Sequence, residues 1–135
     1  MSTQTLTHDN STLLHRALLI DAAASALTGA VCALGAWPLA ELMGVPSPIA
    51  LLMIGLGVVG YAALVYRIAA RRPISRTEAF IPVIANVVWV IASWVLLLGG
   101  WVPFTPAGWW ITAIIADFVA LFAIAQFIGI RQMGR

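Results

Sequence analysis

Six polar side chains that could do chemistry lie inside long apolar stretches of the sequence. They are Asp21, Thr28, Tyr61, Asn86, Asp117 and Gln126. Carboxyl groups can carry protons or bind cations, while hydroxyl and amide groups can hydrogen-bond a ligand or one another. Polar groups inside a membrane are costly, and they often mark ion paths, proton relays or ligand sites. These six residues are therefore the candidate ligand, ion or polar-seam residues, and the pattern predicts no catalytic residue and no metal site.

Asp117 is the foremost candidate because it lies deepest in its apolar stretch. It precedes Arg131 by fourteen residues, which corresponds to roughly 21 Å along a helix. A carboxylate at the centre of a membrane helix costs about 2.5–3.5 kcal/mol on insertion scales, so we expect Asp117 to face the bundle interior. Two interpretations stay open. Asp117 is either a proton- or cation-coupled site or a neutral acid hydrogen-bonded to Asn86, Thr28 or Tyr61.

The other polar residues lie at shallower or similar depth. A polar stripe on the first apolar stretch begins at Asp21 and includes Thr28, and Asn86 lies roughly 13 Å deep on another helix. Together with Asp117 these residues could form a narrow polar seam. Asp21 lies only roughly 7–8 Å inside the basic end, so the alternative to a place in this seam is an ion pair with Arg16, Arg67 or Arg131.

The elements that must position these residues are transmembrane helices. Of the 135 residues 62% are hydrophobic and 9% are charged, whereas a soluble domain carries about 25% charged residues. A helix needs about 20 apolar residues to cross a bilayer. Four stretches meet this length, at approximately 14–39, 49–70, 78–98 and 109–130. The sequence therefore predicts an all-α integral membrane protein, residues 1–135 forming a single four-helix transmembrane bundle of two hairpins.

The arginines predict the orientation of this bundle. The chain has seven basic residues, all of them arginine. With four spans, all seven fall on one side of the membrane, and the loops on the other side contain none. Because positively charged loops stay in the cytoplasm, we expect both termini to be cytoplasmic, in a bacterial inner membrane.

Small residues on three of the spans predict close helix packing. Gly29 lies in a row of small residues on span one, and Gly55, Gly57 and Gly60 lie on span two. Membrane helices associate through close packing that small side chains allow. The three glycines of span two also spell GxGxxG, but no strand precedes them, so we interpret them as packing residues and not as a dinucleotide site. The small faces form the bundle core or, alternatively, an interface with a second copy or a partner.

Three functional hypotheses remain. The first is a non-enzymatic accessory or structural subunit, which the short loops and the lack of catalytic motifs favour. The second is a homo-oligomeric proton- or cation-coupled transporter or channel that uses Asp117. The third is a lipid- or quinone-binding protein that uses Tyr61, Trp89 and Trp94.

The sequence also limits the molecules that the protein is expected to bind. Cys32 is the single cysteine, which excludes an internal disulfide and a CxxC redox pair, and no motif predicts a bound cofactor. The expected partners are the lipid bilayer and either a second copy of the chain or another membrane protein. The arginines lie where membrane topology requires them, so no nucleic-acid partner is expected.

Overall fold

Four long apolar helices and one short helix make up the fold. The computed structural model describes residues 2–71 and 73–133. The helices are α1 (Ser2–Leu34), α2 (Ala36–Met43), α3 (Pro48–Ala70), α4 (Arg76–Gly99) and α5 (Pro106–Met133), and there is no strand within these described residues. Four segments are long and apolar enough to cross a membrane: Thr12–Leu34, Pro48–Ala70, Arg76–Gly99 and Pro106–Gln132. The prediction of an all-helical, multi-pass architecture is confirmed. Arg72 and Arg135, two of the arginines used to predict orientation, lie outside the described residues.

The first span differs from its predicted bounds because the chain changes direction at Gly35. Helix α1 ends at Leu34, and Pro38 falls in the first turn of the separate helix α2. Backbone N–H groups in a first turn have no partner within the helix, so proline is tolerated there. Helix α2 ends at Gly44, whose left-handed φ of 79° allows Val45 N–H to donate to Ala40 O at 2.9 Å. This is the glycine-terminated helix end that favours a sharp turn.

Side-chain hydrogen bonds cap the N-terminal ends of three of the long helices. Ser47 accepts from Ala50 N–H at 3.2 Å, and Ser75 accepts from Glu78 N–H at 3.3 Å. Thr105 accepts from Gly108 N–H at 3.0 Å and also donates to Leu42 O at 2.5 Å. Each cap satisfies a backbone donor that the helix cannot satisfy itself. The bonds of Thr105 also fix the start of α5 against the end of α2.

The helices pack in the order α3, α1, α5, α4 around the bundle, and among neighbouring long helices α3 and α4 contact each other least. Gly29 and Gly55 lie at the crossing of α1 and α3, where a Cβ on Gly55 would approach Gly29 O and Ala33 N to 2.7 Å. This is the close backbone approach that small residues allow between membrane helices. Because α3 and α4 scarcely touch, the bundle is tight on three sides and open on the fourth.

Candidate polar network and cavity

A buried carboxylate, Asp21, lies at the centre of a hydrogen-bond network. Its side chain is 1% exposed. Its Oδ2 atom accepts from the Tyr61 hydroxyl at 2.8 Å, from Asn86 Nδ2 at 3.1 Å and from Gln126 Nε2 at 2.6 Å. Its Oδ1 atom accepts from the Ser25 hydroxyl at 3.1 Å. Buried polar groups need such partners because they lose those that water would provide.

These five residues, which we call the Asp21 network, come from all four long helices. Helix α1 provides Asp21 and Ser25, and α3, α4 and α5 provide Tyr61, Asn86 and Gln126 respectively. Asn86 Nδ2 also donates to Gln126 Oε1 at 3.1 Å. The network therefore connects helices that are distant in the sequence and fixes how the four helices face one another.

The alternative of an ion pair between Asp21 and an arginine is wrong. All four partners of Asp21 are neutral side chains. Among the described residues, the ion pair that forms joins Arg71, which follows α3, to Glu78 in the first turn of α4 at 2.5 Å. Asp21 faces the interior of the bundle, where the helices bring amide and hydroxyl donors to it and leave the arginines at the helix ends.

The Tyr61 hydroxyl gives the network two hydrogen-bonding arrangements. It lies 2.8 Å from Asp21 Oδ2 and 2.9 Å from Asn86 Oδ1, and it carries a single proton. The hydroxyl can donate that proton either to Asp21 Oδ2 or to Asn86 Oδ1. Tyr61 therefore links the carboxyl group of α1 to the amide group of α4.

A cavity of about 600 Å³ adjoins the network. Its lining is mostly apolar and comes from α1, α3, α4 and α5, and three network residues contribute to its wall, namely Ser25, Tyr61 and Asn86. The other side chains in the wall include Thr28, Ile54, Trp89, Ile115, Phe118 and Phe122. Ligand sites in proteins typically enclose about 300–1,000 Å³, with mostly apolar walls and few polar groups. The cavity has both properties.

The cavity has a polar end and an apolar end. Tyr61 lies seven residues from Ile54 on α3, so these two wall residues are separated by about 10 Å along the helix. The end near Tyr61 contacts the Asp21 network, whereas the end near Ile54 is apolar. Gly57 lies between them, and a Cβ at this position would meet no atom within 4 Å. The missing side chain of Gly57 therefore leaves part of the cavity open.

Trp89 contributes an unsatisfied hydrogen-bond donor to the cavity wall. Among the buried side-chain nitrogen and oxygen atoms of the described residues, Trp89 Nε1 is the one that has no hydrogen-bond partner. A buried donor left without a partner costs about 1–3 kcal/mol. Trp94, which we predicted to act beside Trp89, lies outside the cavity and packs edge-on against Trp109, with ring centroids 6.0 Å apart.

The structure brings five of the six predicted site residues to one place and separates the sixth. Asp21, Tyr61, Asn86 and Gln126 join in the network, and Thr28 lies beside it in the cavity wall. Asp117 instead lies exposed on the outside of α5. Both interpretations placed Asp117 in the bundle interior, and that placement is wrong. Tyr61 and Asn86, its proposed partners, bond to Asp21.

Two residues of the site were not among the predicted site residues. Ser25 lies one helical turn after Asp21, and this spacing could have identified it as a hydrogen-bond partner. Gly57 was predicted to be a packing residue, but of the two neighbouring glycines only Gly55 lies at a tight crossing. The spacing of the glycines alone contains no signal that separates these two roles.

Comparison of the chain with protein-family models, with characterised proteins and with solved structures gives no match.

Proposed function

We propose that this protein binds a small amphipathic molecule that it takes up from the lipid bilayer. The observation that carries the proposal is the cavity, which has apolar walls and ends at the Asp21 network. A molecule with an apolar body would fill the space near Ile54 and Phe118. A polar group at one end of that molecule would reach Tyr61 and Asn86. This combination of apolar walls and a few fixed polar groups is typical of small-molecule sites.

The gap between α3 and α4 supports access to the cavity from the side. Among neighbouring long helices these two contact each other least, and both contribute to the cavity wall. Two large wall residues are also well exposed, Ile54 by 47% and Phe118 by 58%. A lipophilic molecule dissolved in the bilayer can therefore approach the cavity without crossing water.

The proposal includes the membrane orientation. We propose that the bundle consists of two hairpins, α1 with α3 and α4 with α5, in a bacterial inner membrane with both termini cytoplasmic. The distribution of arginines supports this orientation, since Arg67 and Arg131 lie in the last turns of α3 and α5. In that orientation the polar end of the cavity faces the cytoplasmic half of the membrane. Single cysteines at Ser75 and Thr105, in a Cys32→Ser background, test it. Only Thr105→Cys should react with an impermeant maleimide in intact cells.

A pair of glycine substitutions tests the binding function. Gly57→Leu adds a side chain into the cavity, where a Cβ meets nothing within 4 Å. Gly60→Leu adds the same side chain on the same helix, also into open space, but Gly60 is not part of the cavity wall. The two variants therefore differ in whether the added volume occupies the cavity.

The measurement is native mass spectrometry of protein extracted gently from its own membrane. We expect a bound small molecule on the wild type and on Gly60→Leu, and at least a tenfold lower occupancy on Gly57→Leu. If the adducts are ordinary bilayer phospholipids and are equally abundant on both variants, the cavity is not a selective binding site and the proposal is wrong. The proposal is also wrong if the wild type retains no small molecule.

A further inference from the structure

The outward-facing Asp117 lies near the middle of its membrane span. The span runs from Pro106 to Gln132, so Asp117 lies eleven residues after its first residue and fifteen before its last. At about 1.5 Å per residue, both ends are more than about 15 Å away. Asp117 is exposed, and within the described residues it has neither a hydrogen bond nor an ion pair. A carboxyl group at this depth, facing hydrocarbon, lacks every partner that water or protein normally provides.

The residues around Asp117 form a continuous outer seam on α5. The members of this α5 outer seam are all exposed and follow one another at alternating spacings of four and three residues: Trp110, Ile114, Asp117, Leu121, Ile124 and Ile128. This is the spacing by which one helix lies along another with interlocking side chains. A single polar residue in such a seam determines which partner fits and in which register.

We infer that the α5 outer seam docks a transmembrane helix of another protein that carries an arginine or lysine near the middle of the bilayer. Such a side chain would pair with Asp117 and remove an unpaired polar group from lipid. Buried charges in membrane proteins almost always pair in this way. The surrounding seam residues would pack against the apolar face of the same helix.

The charges of this chain argue for a different protein over a second copy. The chain has no lysine, and its arginines lie near the ends of the spans, as Arg16, Arg67 and Arg131 illustrate. A second copy placed symmetrically on the seam would bring one Asp117 against the other, and like charges at short range repel. This inference is independent of the ligand proposal, because the seam lies on the outside of α5 and the cavity lies inside the bundle.

A pair of synthetic helices tests the inference. The probes are two 25-residue leucine–alanine transmembrane peptides that differ at the central residue, which is arginine in one and leucine in the other. Energy transfer between the labelled protein and each labelled peptide is measured in phosphatidylcholine vesicles. We expect the wild type to bind the arginine peptide at least tenfold more tightly than the leucine peptide.

Three variants decide the outcome. Asp117→Leu and Asp117→Asn should both reduce the preference for the arginine peptide at least fivefold. Ile84→Leu changes an exposed residue of α4 that belongs neither to the seam nor to the cavity wall and should retain the preference. The inference is overturned if the wild type binds both peptides equally or if Asp117→Leu retains the preference. It is also overturned if two labelled copies of the wild type associate with each other and Asp117→Leu abolishes that association, because the seam would then be a self-association surface.

Discussion

Asp21 and Asp117 are both carboxyl groups within apolar helices, but their surroundings are opposite. Asp21 is buried and accepts hydrogen bonds from four neutral side chains, one on its own helix and one on each of the other three long helices. Asp117 lies on the outside of α5, among seam residues such as Leu121 and Ile124 that face lipid. The first acid connects four helices by hydrogen bonds, whereas the second has neither a hydrogen bond nor an ion pair among the described residues.

This difference separates two properties of a polar residue in a membrane helix. Its depth follows from its position along the sequence, but the direction in which it points depends on how the helices pack. Asp117 is the deeper of the two acids and was therefore the stronger candidate for an interior site. The shallower Asp21 occupies that site because α1 packs against both α3 and α5. Our two proposals follow the same division, with a ligand site beside Asp21 inside the bundle and a docking surface around Asp117 outside it.

The largest expected effect comes from removing the interior acid. Asp21→Leu leaves Gln126 Nε2 and the Ser25 hydroxyl without their acceptor, whereas Tyr61 keeps its bond to Asn86 and Asn86 keeps its bonds with Tyr61 and Gln126. Because each buried unsatisfied group costs about 1–3 kcal/mol, we expect the free energy of unfolding to fall by roughly 3 kcal/mol. Reversible unfolding in mixed detergent micelles, followed by loss of helicity and by tryptophan fluorescence, measures it.

Asp117→Leu is the matched control for this comparison. Asp117 faces lipid in the folded bundle and also faces lipid when the inserted helices separate. Its removal therefore leaves the free-energy difference between the folded and the separated state nearly unchanged. We expect a change within about 0.5 kcal/mol, as for other surface substitutions. Equal destabilisation by both leucine variants would contradict the distinction between an interior and an exterior acid.

The second effect concerns the glycines that hold the bundle together beside the Asp21 network. A Cβ on Gly55 would lie 2.7 Å from Gly29 O and from Ala33 N, so Gly55→Ala must push α1 and α3 apart. Overpacking of this kind costs about 1–3 kcal/mol. Gly60→Ala introduces the same methyl group into open space on the same helix and should cost nothing. Unfolding curves of the two alanine variants, recorded under one set of micelle conditions, test the expectation.

The spans and their glycines show what the sequence can and cannot predict. The number of spans and most of their bounds follow from local composition, because each helix in lipid must satisfy the hydrogen bonds of its own backbone. The break at Gly35 was missed since the residues on both sides of it are equally apolar. The orientation of Asp117 and the different roles of Gly55 and Gly57 depend on contacts between spans, and no local pattern contains that information. Asp21, Asn86 and Gln126 could be selected individually as candidates, but their meeting could not be derived.

A smaller effect should follow from removing the hydroxyl that links the Asp21 network to the cavity. Tyr61→Phe keeps the ring in the cavity wall and deletes the hydrogen bonds to Asp21 and to Asn86. Asp21 keeps its bonds from Ser25, Asn86 and Gln126, so the cost is close to that of one net hydrogen bond, about 1 kcal/mol. The same unfolding assay measures it. A loss as large as that of Asp21→Leu would mean that Tyr61, and not Asp21, is the centre of the network.

The smallest expected effect is on the outer seam. Leu121 lies one turn after Asp117 and is 60% exposed, so truncation to alanine removes few contacts within the chain. We expect Leu121→Ala to change the free energy of unfolding by less than about 0.5 kcal/mol. Leu18→Ala, at a fully buried position on α1, should cost about 2–5 kcal/mol because it leaves a cavity. If Leu121→Ala weakens binding of the arginine-bearing peptide while leaving the unfolding curve unchanged, the seam serves association and not folding. If it destabilises the isolated protein as much as Leu18→Ala, the outer face of α5 packs within the chain, and the contrast between the two acids does not hold.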